Sequence, residues 1–310
     1  MLLYRNDFFL QHQTGQHPEC PARLEAISKQ LQSSQLLPRC EQPQWEPSTD
    51  AQLGLVHDVE YAASVRSAFR QGVDRLDSDT VISERSFEVA ALAAGAAVDA
   101  VRRVVTDEDR QALCLVRPPG HHALKDRAMG FCLFGSVAVA AAFAVRELGL
   151  NRVLIVDWDV HHGNGTQDLF WSDPQVAFFS AHRFPFYPGS GRRDETGLAA
   201  GSGTTHNLPI RFGTSREDIL AQFASELEEF AAKTKPELIL LSAGFDAHAA
   251  DPVGSLGLEV EDFVLMTETV CDLADDHCRG RIVSILEGGY HPQMLAESVE
   301  AHLKTMLDRL

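Results

Sequence analysis

The sequence predicts an α/β fold, a central parallel sheet with helices on both faces, and three observations lead there. Short, near-continuous apolar runs rich in Val, Ile, Leu and Phe recur along the chain, the pattern of strands covered on both sides. Segments with apolar residues at helical spacing alternate with them, as parallel strands joined by helical crossovers require. Four of the runs lead straight into polar or glycine-rich residues, the place where ligands bind in such sheets, outside the carboxyl ends of the strands.

In chain order, Met1-Leu2-Leu3-Tyr4-Arg5-Asn6-Asp7 reads as a short strand and lacks the apolar length of a signal peptide. A helix follows over 86–105, then a strand over 112–116 that runs into Arg117-Pro118-Pro119-Gly120-His121-His122. The helix over 136–148 contains the longest apolar run, 137–145, which is far short of the ~20 residues a membrane span needs. The strand over 152–156 leads into Asp157-Trp158-Asp159-Val160-His161-His162-Gly163-Asn164-Gly165, and another strand covers 176–179. A helix over 215–234 precedes the strand over 238–241, which opens into Ser242-Ala243-Gly244-Phe245-Asp246. A helix over 261–277, a strand over 282–286 ending in Glu287-Gly288-Gly289-Tyr290, and a helix from Pro292 onward complete the pattern. With no linker composition, like-charge block or internal repeat, residues 1–310 are expected to form a single domain.

A formal net charge of −17 argues against nonspecific nucleic-acid binding and favours solubility and attraction of cationic ligands. The six cysteines show no CxxC spacing and sit mostly in apolar contexts, so reduced thiols and a cytoplasmic location are expected.

The polar strand ends carry a metal constellation. Asp159 and His161 are two residues apart, so on an extended strand end both side chains point the same way. Asp246, after a glycine at the end of another strand, is the best third ligand. Three mixed carboxylate and imidazole ligands leave a position open for water or substrate, the catalytic pattern for zinc. Iron(II) or cobalt(II) suits the same set. His248 is assigned a structural role, because it has no obvious partner for a second metal.

His121 and His122 need orienting acceptors, and Asp157 and Asn164 flank the ligands in position to serve. A carboxylate partner favours the imidazolium, whereas an amide partner leaves the ring closer to neutral. His122 with Asn164 is therefore expected to be the general base, and His121 with Asp157 an electrostatic aid. Tyr290 follows two glycines at a strand end, which suits a phenol donating to a developing oxyanion.

These residues resemble the zinc-dependent histone deacetylase superfamily, including acetoin-utilisation proteins and acetylpolyamine amidohydrolases. RPPGHHA, GFCLF, DWDVHHGNGTQ, SAGFDAH, DP and EGGY stand in the family's order, and the likeness extends to His17-Pro18-Glu19, Arg23 and Asp79. The resemblance implies an arginase-deacetylase fold, one zinc on Asp159, His161 and Asp246, and Asp79 as a rim acceptor for substrate amides. It places Gly130, Phe131 and Tyr187 around a tunnel for an acyl-lysine-like chain, and Arg23 beside an internal cavity for departing acetate. It implies potassium beneath the site at Asp157 and Ser180, and a second potassium on main-chain oxygens near Phe170, Asp173 and Val176. Asn164 is similar to the class II branch. Gly163 stands where arginases carry an aspartate for a second metal, which argues for a mononuclear site.

The expected function is metal-dependent removal of acetyl or other acyl groups from lysine-like amines. An acetylpolyamine amidohydrolase is the alternative within the enzyme class, and a catalytically silent acyl-binding scaffold the alternative outside it. Polyamine-selective class II relatives place an acid directly after the Asp-Pro pair. Here Val253 follows Asp251-Pro252, and no long insertion of the kind bacterial polyamine enzymes use to dimerise over the site is evident, so acyl-lysine is favoured.

Overall fold

The computed structural model describes residues 1–310. Seven strands, all paired in parallel, form one sheet: β1 (Leu2–Tyr4), β2 (Gln111–Cys114), β3 (Val153–Asp157), β4 (Val176–Arg183), β5 (Thr205–Ile210), β6 (Leu238–Ala243) and β7 (Ile282–Leu286). Their spatial order is β1-β2-β7-β6-β3-β4-β5. The helices are α1 (Ala22–Ser33), α2 (Asp50–Leu53), α3 (Val59–Ala68), α4 (Ser86–Val105), α5 (Ser136–Arg146), α6 (Asn164–Phe170), α7 (Arg216–Thr234), α8 (Val260–Cys278) and α9 (Pro292–Asp308). Helices α4 and α5 pack together on one face, and α1, α9, α8 and α7 pack in sequence on the other. One continuous hydrophobic core runs through both layers, so this is a single-domain α/β fold.

Every residue of β2, β3, β6 and β7 is buried, which is why these strands read as unbroken apolar runs. Strand β5 was not expected. Its sequence, Thr-His-Asn-Leu-Pro-Ile, alternates only weakly and contains Pro209, which a central strand does not tolerate. As an edge strand paired only with β4 it has no second neighbour needing that missing N–H. Strand β4 runs four residues past its apolar part, through Ser180, Ala181, His182 and Arg183, because β5 continues to pair there.

Local signals set several boundaries. The Ser215 hydroxyl accepts from Asp218 N–H at 3.1 Å and caps α7, while Pro292 starts α9 behind a capping His291. No helix is long and apolar enough to cross a membrane. All six cysteines are unpaired.

The register assembles the site. Asp157 at the end of β3 pairs with Ser180 of β4 on one side and Ser242 of β6 on the other, and Ala243 of β6 pairs with Leu286 of β7. The loops after β2, β3, β6 and β7 therefore leave the sheet at one level and face one another.

Candidate active site

The β3 loop folds by bonding to its own carboxylates. Asp157 Oδ1 accepts from Asp159 N–H at 3.1 Å, and Asp159 Oδ1 accepts from His161 N–H at 2.9 Å. Neighbouring loops are bonded to this one: Gly288 N–H donates to Asp159 Oδ2, and the β3 loop's own Val160 N–H donates to Asp246 Oδ1, each at 2.9 Å. Asp159, His161 and Asp246 converge in consequence, with their ligand atoms within 4.8 Å of one another and all three residues buried.

This group fits a cation. Asp246 Oδ2 is buried, and its one nearby donor, His161 Nδ1 at 3.2 Å, is shared with Asp159 Oδ1 at 3.0 Å, so a single ring nitrogen faces two carboxylates and leaves Oδ2 without a well-formed hydrogen bond, which is costly for a buried carboxylate oxygen. Burial and the neighbouring charge of Asp159 push the Asp246 carboxyl up to about 7, so two carboxylates at this spot repel unless a cation joins them. A β-carbon at Gly288 would overlap the carboxylates of both Asp246 and Asp159, so only glycine leaves the ligands their place. At Gly163 a side chain would run into Asp157 and Phe178, so there is no room for a second carboxylate ligand in the arginase manner.

The two histidines differ as their partners differ. His121 Nδ1 lies 2.9 Å from Asp157 Oδ2, and His122 Nδ1 lies 2.7 Å from Asn164 Oδ1. Burial opposes charge on His121, but Asp157 and Asp159 outweigh it and hold its pKa well above the ordinary value. His122 is held well below the ordinary value by burial first and then by the positive charges of His121 and His161. The Asn164 oxygen can only accept, so His122 carries its proton on Nδ1 and keeps a lone pair on Nε2.

A cavity of about 160 Å³ reaches this floor, lined by Asp79, His122, Gly130, Phe131, His161, Phe186, Tyr187, Val253 and Tyr290. Phe131 stands edge-on to Tyr290, and Tyr187 edge-on to His122, with centroids 5.6 Å and 5.3 Å apart. Gly130 has φ +55°, and a β-carbon there would press into the His122 imidazole, so the glycine is required twice over. Tyr290 is buried, and that burial raises its phenol pKa well above the usual range, which keeps the proton available for donation. Asp79 is half-buried and is the one carboxylate in the cavity lining.

The family model described as the histone deacetylase domain matches residues 17–306. The chain belongs to the histone deacetylase family. Histone deacetylase 14, chloroplastic, of Arabidopsis thaliana is 35% identical over 99% of this chain and 76% of its own length. Polyamine deacetylase HDAC10 of Homo sapiens is 40% identical over 99% of this chain, which spans 48% of that longer protein. The crystal structure of the HDA15 HD domain superposes with a TM-score of 0.91 at 35% identity, covering 99% of this chain and 88% of that one. The fold is thus the arginase-deacetylase fold, and this histone deacetylase relative is a metal-dependent deacetylase.

Of the expected substrate residues, Asp79, Gly130, Phe131 and Tyr187 line the cavity, while Arg23 does not. Arg23 is fully buried behind Tyr290, its guanidinium carbon 5.0 Å from the ring centroid, and it donates to the carbonyls of Gly289 and Glu287. Ser180 is fully buried beside Asp157, and its hydroxyl meets His182 Nδ1 at 2.9 Å. The carbonyl of Phe170 accepts from Asp173 N–H at 3.0 Å. His248 accepts from Ala250 N–H at 3.0 Å and lies 3.4 Å from the Glu259 carboxylate.

Several contributors had no role assigned from sequence: Phe186 was not named, and Glu287, Asp251 and Glu19 stood only as members of quoted motifs. Phe186 stacks on His161 with centroids 5.3 Å apart at 19°, and its only signal was the aromatic and proline run 184–188. Glu287 accepts from the N–H groups of Gly120 and His121 at 2.6 and 3.2 Å and from Ser242 Oγ at 3.1 Å, so it holds the loop that carries the histidine pair. Asp251 accepts from Tyr290 N–H at 2.6 Å and from Val253 N–H at 2.9 Å, tying the tyrosine to the cavity wall. Glu19 pairs with both Arg117 and Arg23. Most of these bonds leave no spacing pattern, since Glu287 to Gly120, Asp251 to Tyr290 and Glu19 to Arg117 each join segments far apart in the chain.

Proposed function

We propose that the protein is a zinc-dependent deacylase of linear amides, with acyl-lysine side chains as its first substrate class. The observation that carries this is the cavity itself: one carboxylate, Asp79, at the mouth, apolar walls of Phe131, Phe186, Tyr187 and Val253, and His122, His161 and Tyr290 at the floor. Apolar walls suit the methylenes of a lysine stem, and a rim carboxylate suits the backbone amides beside it. Zinc on Asp159, His161 and Asp246 would supply Lewis-acid polarisation of the acyl carbonyl and acidify a water molecule.

The chain's own groups divide the remaining chemistry. His122, neutral with its Nε2 lone pair free, takes the proton of the attacking water and later returns it to the leaving amine. His121, held cationic by Asp157, stabilises negative charge nearby. Tyr290, kept protonated by burial, donates its hydroxyl hydrogen to the developing oxyanion. Arg23 supports Tyr290 from behind. We also propose a potassium ion beside Asp157 and Ser180, which are buried cross-strand neighbours.

The second reading is an acetylpolyamine substrate, favoured by the 40% identity to a protein named as a polyamine deacetylase. A polyamine carries a further ammonium group that a rim carboxylate must meet. Val253 presents a methyl surface instead, which supports the lysine reading. Side-by-side kinetics on an acetyl-lysine peptide and N-acetylputrescine, with chelator treatment and zinc add-back, test both. Turnover of only the polyamine would reverse the assignment, and turnover unaffected by chelation would remove the metal from it.

A further inference from the structure

Four side chains form a stack leading from the metal group out to solvent. His161 stacks on Phe186, and the Arg183 guanidinium carbon lies 4.1 Å from the centroid of Phe186 and 4.4 Å from that of Phe212. Phe212 is 65% exposed, so an outer aromatic face is left in water where it covers the arginine. Arg183 ends β4, and its backbone N–H donates to Val160 O at 2.9 Å, which ties its root to the segment bearing His161. Its Nη1 reaches the carbonyls of Gly254 at 3.2 Å and Ser255 at 3.4 Å, immediately after Val253. Phe186 and Val253 both line the substrate cavity and come from different loops.

A guanidinium is planar and weakly hydrated, so it stacks on aromatic faces and donates hydrogen bonds within its plane at the same time. A lysine ammonium has no flat face to lie between two rings while its donors reach both carbonyls. Arg183 is thus the group that joins the Phe186 wall of the cavity to the Val253 wall.

We propose that Arg183 is a specificity-determining positioning residue, setting the width of the substrate tunnel by clamping Phe186 and the turn 253–255 together, with Phe212 as its outer cover. The inference rests on the reading that the cavity takes a linear acyl amide. Holding the walls at fixed separation contributes binding that is equal in ground and transition states, so its loss raises KM and leaves kcat nearly unchanged. It also admits wider amines that the parent excludes.

The test uses Arg183→Lys, Arg183→Met and the surface variant Phe212→Ala, each checked for equal metal content. Rates are measured on whichever of acetyl-lysine peptide and N-acetylputrescine the parent hydrolyses better, and on N-acetylbenzylamine as a wide amide. For both Arg183 variants KM for the linear amide rises roughly five- to tenfold with kcat within about twofold, as loss of a partly desolvated cation–π clamp implies. The preference in kcat/KM for the linear over the wide amide falls by about tenfold, and Phe212→Ala shifts it the same way by about twofold. A lower kcat with unchanged KM and unchanged preference is what simple destabilisation produces, and it overturns the proposal. If the Arg183 variants do not fold, an unchanged preference in Phe212→Ala overturns it. A parent inactive on both linear amides overturns the functional reading and this inference with it, whereas an active parent with unaltered variants overturns only this one.

Discussion

Replacing Glu19 with Gln tests the electrostatic frame behind the catalytic loops. Glu19 Oε1 accepts from Arg117 Nε at 2.5 Å and Oε2 from Arg117 Nη2 at 2.8 Å, a bidentate pair, and Arg23 Nη1 adds a third contact at 3.3 Å. All three side chains are essentially without solvent contact. Arg117 opens the loop to His121 and His122, and Arg23 backs Tyr290, so one carboxylate connects both sides of the site. Burial by itself would raise the Glu19 pKa, but the charge of Arg117, that of His12 where acid protonates it (below its own burial-lowered pKa of about 4), and that of Arg23 outweigh it and hold the carboxyl at about 2, against 4.5 when free. That difference is worth about 3 kcal/mol, in the range of about 3–5 kcal/mol for breaking a buried ion pair from one side.

The sign follows from a folded pKa below the unfolded one: the stabilisation is fully present above pH 4.5 and is lost as pH falls from there towards 2. Glu19→Gln is therefore expected to unfold about 3 kcal/mol more easily at pH 7, with the gap between parent and variant shrinking below pH 4.5. Guanidinium unfolding followed through tryptophan fluorescence, with the buried Trp158 as a reporter, measures it at pH 7 and in steps down to pH 3. The difference between the two proteins carries the test, because other groups titrate in both. A gap under about 1 kcal/mol at pH 7, or one that stays constant down to pH 3, refutes the reasoning.

Three further outcomes are expected. Asp159→Ala removes a metal ligand and the acceptor of two backbone N–H groups, so bound metal measured by elemental analysis and turnover both fall to background. Tyr290→Phe keeps the ring against Phe131 and Arg23 but removes the hydroxyl donor, lowering kcat on the order of 10²-fold with little change in metal content. Gly130→Ala places a methyl group against the His122 ring and strains a left-handed backbone, so kcat drops about tenfold or more while KM for a linear amide changes less.

Much of the molecule was legible in the chain because its strongest patterns are local. Strands β2, β3, β6 and β7 are buried on both faces, so their apolar runs announce themselves, and the polar residues after them mark one rim. The edge strand β5, paired on one side only, needs no such run and was missed. The pairings of His121 with Asp157 and His122 with Asn164 were expected from residue chemistry and are present at hydrogen-bond distance. Arg23 stands behind Tyr290 and outside the substrate cavity, a placement that depends on Glu287 and Gly289 offering it their carbonyls.

The sequence by itself determined the parallel α/β class and pointed to the candidate ligand trio and the histidine pair, because strand-end chemistry and side-chain pKa logic depend on residue type and near neighbours. Only the tertiary structure decided what encloses them. Phe186 over His161, Glu287 beneath the histidine loop, Glu19 against Arg117 and Arg183 against Phe212 all join segments distant in the chain. Such contacts exist only once the register of seven strands brings those loops to one level.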